Sequence, residues 1–133
     1  MPVGLVVISH SRQLAEGVKE IAEQMTNSAV AILPVGGAVD GSLGTDVEAI
    51  ARALLRADSG EGVLVLMDLG SAVLSAETAL EMLDEPARER VRLSNAPVVE
   101  GAIVAAVEAS IGHTLDQVAQ AAEDARDMTK VTR

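Results

Sequence analysis

The chain has 133 residues, so we predict one domain over residues 1–133. Its 20 acidic and 10 basic residues give a net charge of −10, which disfavours nucleic acid and anionic membrane surfaces as partners. It contains no Cys, Phe, Tyr or Trp, which excludes disulfides, thiolate catalysis and aromatic stacking. No apolar run approaches the roughly 20 residues that span a bilayer, and the first residues carry no basic charge. We therefore expect a cytoplasmic protein without a membrane partner.

The first half of the sequence alternates predicted strands and helices. Residues 5–8 form a continuous apolar run, which predicts a strand buried on both faces. The predicted stripe of the first helix consists of Leu14, Val18, Ile21 and Met25. Residues 29–33 predict a second strand that Pro34 stops, and a glycine-rich loop follows. Thr45 and Glu48 have the spacing of a capping box and predict the start of the next helix. The predicted buried face of that helix is Val47, Ile50, Ala51, Leu54 and Leu55.

The second half continues the alternation and sets the predicted fold class. Residues 63–67 and 91–93 predict the third and fourth strands, separated by a helix that carries Leu74, Leu80 and Leu83. An alanine-rich helix over 98–110 and a last helix after 114 follow. This order predicts an α/β fold with a single open, mostly parallel sheet of four or five strands and helices on both faces.

Polar side chains follow the predicted strands where a ligand is expected to bind. Three strands end in polar or glycine-rich turns, at residues 9–11, 36–45 and 68–71. In open parallel sheets such ends meet at one edge, and ligands bind there. His10 is a competent nucleophile when neutral, and Asp68 is the candidate that orients its ring. With helix N-termini beside them, these turns suit a phosphoryl group held without a metal ion.

Each of these residues also has a plainer interpretation, and spacing alone leaves both open. A His after a strand can be structural, an Asp can cap a helix, and glycines can serve turn geometry only. The sequence lacks both common nucleotide-binding motifs, and His10 and Asp68 supply too few ligands for a metal site. A signalling receiver domain would need acidic residues where His10 stands. We interpret His113 as structural.

The alanines of the predicted helix over residues 98–110 leave a second question open. They can pack on the sheet of the same chain, or they can allow close approach of a second subunit. The residues concerned are Ala102, Ala105, Ala106 and Ala109.

Several segments resemble one known family. Residues 5–11 (LVVISHS) and 14–17 (LAEG) are similar to the start of the mannose-type IIA domains of the bacterial phosphoenolpyruvate-dependent sugar phosphotransferase system (PTS). Gly44-Thr45, residues 65–72 (VLMDLGSA) and residues 95–102 (NAPVVEGA) extend the resemblance over nearly the whole chain. Sugar-transporting members usually have a Gly-Gly-Ser-Pro type segment after the Asp. The sequence LGSA after Asp68 instead resembles the branch that serves a dihydroxyacetone kinase.

The resemblance implies a mannose-type IIA fold, a homodimer and a phosphoryl carrier. His10 would take a phosphoryl group from the carrier protein HPr, with Asp68 orienting the ring. It would pass the group to ADP held on the kinase subunit DhaL, and the resulting ATP would phosphorylate dihydroxyacetone on the subunit DhaK. The chain itself would need no cofactor, because ADP and ATP stay on DhaL. From their hydrogen-bonding capacity, the predicted phosphoryl contacts are Thr45, Ser71, Gly37 and Ser11.

Two other functions remain as alternatives at this point. The chain could pass its phosphoryl group to the IIB domain of a sugar transporter. It could also be a regulatory interaction module with a vestigial site that no longer transfers phosphoryl groups. For the kinase function, we expect the acidic surface to favour basic patches on HPr and DhaL.

Overall fold

Four short strands form the centre of the computed structural model, which describes residues 2–132. They are β1 (Gly4–Ser9), β2 (Ile32–Gly36), β3 (Val63–Met67) and β4 (Val91–Leu93). All pairs are parallel and the order is β2-β1-β3-β4, which confirms the predicted α/β fold with a single open sheet. The predicted domain also includes Met1 and Arg133, which lie outside the described residues.

Helices cover both faces of the sheet. They are α1 (Arg12–Gln24), α2 (Val47–Ala57), α3 (Gly70–Glu81), α4 (Glu85–Glu89), α5 (Val98–Ser110) and α6 (Leu115–Asp124), with a 3₁₀ turn at Ala125–Asp127. Side chains of β1 alternate between the two faces. Leu5 and Val7 pack in one cluster with α1, α5 and α6, and Val6 and Ile8 pack in another with α2, α3 and α4. Strands buried in this way on both faces explain the continuous apolar runs of the sequence.

The buried faces of the helices consist mainly of alanine, and this corrects several predicted core positions. In α1 the buried residues are Ala15, Val18 and Ala22, whereas the predicted Leu14, Ile21 and Met25 are 42%, 43% and 50% exposed. Leu55 and Leu74 are likewise exposed. Alanine lets each helix lie close to branched strand residues, so longer side chains flank the line of contact and stay partly in solvent.

The sequence predicts that Pro34 ends the second strand, but in the structure the strand continues past it. It lies inside β2, opposite Val7, and the strand continues to Gly36. The reason is the position of β2 at the edge of the sheet, where its only partner is β1. A proline has no N–H to donate, and an edge strand tolerates this because its outer side needs no donor.

The cap of α2 also differs from the predicted one. The carboxylate of Asp46 accepts a hydrogen bond from the Ala49 N–H at 3.2 Å, so Asp46 is the N-cap and the predicted Thr45 is not. The hydroxyl of Thr45 instead lies 2.6 Å from that of Ser75. The second predicted capping box, between Thr114 and Gln117, is confirmed at the start of α6.

The alanines of α5 pack inside the chain. Ala102, Ala105, Ala106 and Ala109 are fully buried in the cluster that α5 shares with α1, α6 and the sheet. They are not exposed to a second subunit, so the expectation of a homodimer rests on the resemblance alone. Among residues 2–132, no helix has the length and apolar character required to cross a bilayer.

We predict that Gly36→Ala destabilises the fold. A Cβ at this position would come within 2.6 Å of Arg12 Cα and of the Ser11 carbonyl oxygen, so β2 and the start of α1 would have to move apart. We expect a loss of about 1–3 kcal/mol in the free energy of unfolding, measured by urea denaturation.

Gly17→Ala is the matched control. A Cβ at Gly17 meets no atom within 4 Å, and the residue lies inside α1. This variant should gain about 0.5–1 kcal/mol, because alanine is the better helix former. Equal stabilities of the two variants would contradict the close approach at Gly36.

Candidate active site

The parallel sheet brings the three predicted turns to one edge. His10 follows the last residue of β1, and Asp68 follows the last residue of β3. The backbone N–H of Asp68 donates to the Ile8 carbonyl at 3.2 Å, and that of Gly44 donates to the His10 carbonyl at 2.9 Å. The turns after β1, β2 and β3 are therefore joined directly by backbone hydrogen bonds.

The carboxylate of Asp68 is the centre of this edge. Its Oδ2 accepts from the Ser9 hydroxyl at 3.0 Å and from the His10 backbone N–H at 2.9 Å. Its Oδ1 accepts from the Leu69 N–H at 2.7 Å and lies 3.0 Å from His10 Nδ1. Both oxygens are thus committed, and the carboxylate has little freedom to rotate.

These contacts keep Asp68 ionised. Burial raises the pKa of the Asp68 carboxyl, but hydrogen bonds from the His10 N–H, the Ser9 hydroxyl and the His10 ring outweigh burial. The net result is a pKa below the ordinary value of 3.8. A carboxylate that accepts several hydrogen bonds is favoured in its charged form.

The two nitrogens of the His10 ring face different partners. A carboxylate can only accept, so Nδ1 must carry the proton that points to Asp68. In the neutral ring this leaves the lone pair on Nε2, which lies 2.5 Å from the hydroxyl oxygen of Ser71. Ser71 is exposed, so the free lone pair points toward the surface. The arrangement fixes one tautomer and presents Nε2 as a nucleophile.

Ser9 completes the support of the carboxylate. The sequence places its hydroxyl in the turn at residues 9–11 but does not predict its contact with Asp68. Its side chain is fully buried, donates to Asp68 and accepts from the Ser11 N–H at 3.0 Å. The only signal in the sequence is a hydroxyl at the end of an otherwise apolar strand. Its acceptor lies 59 residues away, so only the fold shows the contact.

The predicted phosphoryl contacts lie at different places around the ring. Ser71 touches the ring directly. Ser11 is the N-cap of α1 and accepts from the Leu14 N–H, and Thr45 binds Ser75. Gly37 is buried in the turn after β2 with a φ of 82°. Their contact with a phosphoryl group stays a prediction.

His113 lies away from this edge, in the turn between α5 and α6. Its Nδ1 pairs with a carboxylate oxygen of Glu108, and its N–H donates to the Glu108 carbonyl at 3.2 Å. These contacts hold the turn, in agreement with a structural role. Within the described part of the chain, no three His, Asp or Glu side chains converge as metal ligands would.

The sequence matches a known family. The family model described as the PTS system fructose IIA component, EIIA-man, matches residues 4–119. A relative from Listeria innocua, named PEP-dependent dihydroxyacetone kinase 2, phosphoryl donor subunit DhaM, is 38% identical over 89% of this chain and 94% of its own length. A relative from Providencia stuartii with the corresponding name is 40% identical over 92% of this chain. The chain spans only 26% of that longer protein.

Solved structures agree with this fold. The crystal structure of a protein of unknown function, EF1359, is 39% identical and superposes with a TM-score of 0.82 over 93% of this chain and 95% of that one. The mannose/sorbose specific IIA subunit from Enterococcus faecalis is 19% identical, with a TM-score of 0.52 over 100% of this chain and 97% of its own. The second likeness supports the fold alone.

We predict that Asp68→Asn removes a part of the stability that depends on pH. The pKa of Asp68 is lower in the folded protein than in the unfolded one. The stabilisation is therefore complete above the unfolded value of 3.8 and is lost as pH falls through the lower, folded value.

The measurement is urea unfolding of both proteins at neutral pH and at several values below about pH 5. The wild-type advantage should be constant above this range and shrink as the solution becomes more acidic. Asp40, whose pKa is also lowered by its hydrogen bonds with Ser42, is present in both proteins and cancels. A difference that grows toward acid would contradict the prediction.

Proposed function

Because this chain belongs to the PTS IIA family, in its DhaM group, we propose that it carries a phosphoryl group on His10 between HPr and ADP bound to DhaL. The resulting ATP would then phosphorylate dihydroxyacetone on DhaK, and the chain would never touch the sugar. One observation carries the proposal. Asp68 holds Nδ1 of His10, and Nε2 is turned toward the exposed hydroxyl of Ser71.

The first transfer would occur at Nε2. Its lone pair attacks the phosphorus of the donor phosphohistidine, and an N–P bond forms as the N–P bond of the donor breaks. The ring then becomes more cationic while Nδ1 keeps its proton. Asp68 stabilises this charge through the 3.0 Å contact, as a carboxylate does for a catalytic imidazole.

The second transfer reverses these changes. A terminal phosphate oxygen of ADP attacks the same phosphorus, the N–P bond to Nε2 breaks, and the electron pair returns to the ring. Such a transfer depends on alignment and electrostatics more than on new covalent chemistry. A ring fixed at the surface is suited to meeting two partners in turn.

The hydroxyl of Ser71 can form a hydrogen bond both before and after His10 is phosphorylated. In the free protein it donates to the Nε2 lone pair at 2.5 Å. When phosphorus occupies that lone pair, the hydroxyl must turn to a phosphoryl oxygen. Ser71 lies in the first turn of α3, where free backbone N–H groups also favour an anion.

The surroundings of the ring support a protein partner. Four large apolar side chains are exposed near the site, in the turns that carry it and in the first turns of α3. These are Val39, Leu43, Leu69 and Leu74. Leu69 directly follows Asp68, and Leu43 precedes Gly44, which binds the His10 carbonyl. Exposed apolar groups around a polar centre are typical of protein interfaces.

The remaining parts of the proposal rest on the family. We infer that nucleotide stays on DhaL, that the chain forms a homodimer, and that it acts in the cytoplasm, where phosphoenolpyruvate and ADP are present. The relative from Listeria innocua, of which this chain covers 94%, is named a phosphoryl donor subunit, which supports the role of a phosphoryl carrier.

We expect His10→Gln to abolish phosphorylation. Wild type incubated with phosphoenolpyruvate, enzyme I and HPr should gain one acid-labile phosphoryl group, measured by intact-protein mass spectrometry. The matched control is His113→Gln, which changes the other histidine and should still be phosphorylated. Phosphorylation of the His10 variant would overturn the assignment.

The acceptor is tested with the phosphorylated wild type. DhaL loaded with ADP should remove the group, and a IIB domain of a sugar transporter should not. Removal only by the IIB domain would support the transporter function instead. A protein that is phosphorylated but loses its group to neither would be a regulatory module.

Ser71→Ala should slow both transfers without abolishing them. Loss of one donor to the phosphoryl group predicts a decrease of about tenfold in single-turnover rate, less than for a donor in a closed site. Ser110→Ala is the control, because the Ser110 hydroxyl donates to the Val107 carbonyl at the end of α5 and makes no other hydrogen bond within residues 2–132. Unchanged rates in the Ser71 variant would remove this residue from the site.

A further inference from the structure

A basic groove lies beside the candidate site on this acidic protein. It has a volume of about 410 Å³ and runs between α1 and α2, over the outer edge of β2. Four basic side chains line it against a single carboxylate, that of Glu16. The four are Arg12, Lys19, Arg52 and Arg56. Acidic residues outnumber basic ones 20 to 10 in the whole chain. Nevertheless, four of the 10 basic residues line this one groove.

Ion pairs within the chain do not explain this concentration. On α1, Arg12 lies 4.0 Å from Glu16 in an exposed pair, and Lys19 lies 3.8 Å from Glu23 in a half-buried pair; both pairs join neighbouring turns of one helix. Such pairs contribute little to stability. On α2, Arg52 and Arg56 are exposed and form no ion pair with any carboxylate in residues 2–132. Their charges are available to another molecule.

Two arginines outside the groove behave differently. Arg90 binds Asp58 at 2.8 Å, and Arg92 binds Asp116 at 2.5 Å. Both contacts join separate elements of the fold. The basic residues of the groove make no such contact between elements, which distinguishes them from cations that stabilise the chain itself.

The groove begins next to the reacting residue. Arg12 is the first residue of α1 and stands two positions after His10. Gly36, at the end of β2, packs directly against the backbone of Arg12 and also lines the groove. A partner that presents its own reacting group to His10 therefore covers this end of the groove.

We propose that the groove binds an acidic polypeptide segment of a protein that exchanges phosphoryl groups with His10. This inference rests on the proposed function, because it assigns the groove to a partner of that reaction. The charges extend along both helices: Arg12 and Lys19 are about 10 Å apart along α1, and Arg52 and Arg56 are one turn apart on α2. This spread fits successive carboxylates of a polypeptide.

A free nucleotide fits the groove less well. The chain has no aromatic side chain to stack on a base. The floor includes Leu33, Pro34 and Val35, and a proline offers no N–H to a phosphate. The four charges on two helices are also too widely spread to enclose one phosphate group.

The test compares two double variants with equal changes of charge. Arg52→Glu with Arg56→Glu reverses two charges of the groove. Arg88→Glu with Arg126→Glu reverses two exposed arginines that also form no ion pair with any carboxylate in residues 2–132. Arg88 lies in α4, beside β4 at the opposite edge of the sheet from β2, and Arg126 lies in the 3₁₀ turn. Thermal unfolding followed by circular dichroism shows that each variant is folded.

Each transfer is measured separately, from phosphorylated HPr to the chain and from the phosphorylated chain to DhaL with ADP. In the groove variant, kcat/KM of at least one transfer should fall about tenfold or more at low salt, with kcat at saturation unchanged. The loss should diminish as salt is raised, because salt screens the attraction. The control variant should stay within about twofold of wild type in both transfers.

Several outcomes would overturn the inference. One is equal behaviour of the groove and control variants in both transfers. Another is a change in sedimentation without a change in either rate, which would assign the groove to a second copy of this chain. Tight binding of ADP alone that depends on Arg52 and Arg56 would assign it to a nucleotide. Failure of wild type to be phosphorylated would instead reject the proposed function itself.

Discussion

The carboxylate of Asp68 accepts hydrogen bonds from two strand ends at once, and the candidate site depends on this contact. It holds the Ser9 hydroxyl and the His10 N–H at the end of β1, and the Leu69 N–H at the start of α3. Burial raises the pKa of the Asp68 carboxyl, but the hydrogen bonds from the His10 N–H, the Ser9 hydroxyl and the His10 ring outweigh burial and lower it. The same anion orients the His10 ring, so the polar contacts that join β1 to β3 also select the nitrogen that faces the surface.

The sequence was sufficient to predict that His10 and Asp68 come together. Asp68 directly follows the apolar run 63–67, and His10 follows the run 5–8 after one residue, Ser9. The continuous apolarity of both runs indicates strands buried on two faces. Such strands are parallel in α/β folds, so residues that follow their carboxyl ends share an edge. In the observed register Ile8 lies opposite Met67, so Asp68 comes one residue and His10 two residues after the last paired position, within hydrogen-bonding distance of each other. The prediction required the two strands to be parallel neighbours, and the structure shows that they are.

Other features depended on contacts through space and could not be predicted in this way. Hydrophobic spacing identified α1, but Leu14 and Ile21 are partly exposed because Ala15 and Ala22 make the close contact with the core. Pro34 is compatible with β2 only because β2 is an edge strand, which the sequence does not show. Asp46 and Thr45 are both good N-caps by type, and the contact of Thr45 with Ser75 on α3 separates their roles.

The net charge of the chain is also a poor predictor of which partners bind its surface. A value of −10 suggests that every acidic partner is repelled, yet the first basic residue after His10 begins a groove with an excess of positive charge. At physiological ionic strength, exposed charges more than about 8 Å apart are largely screened, so a docking partner responds to the local arrangement. The proposed carrier would present one ring to two different proteins in turn. A net negative charge together with a basic groove between α1 and α2 would let one residue serve partners of different composition without one shared interface.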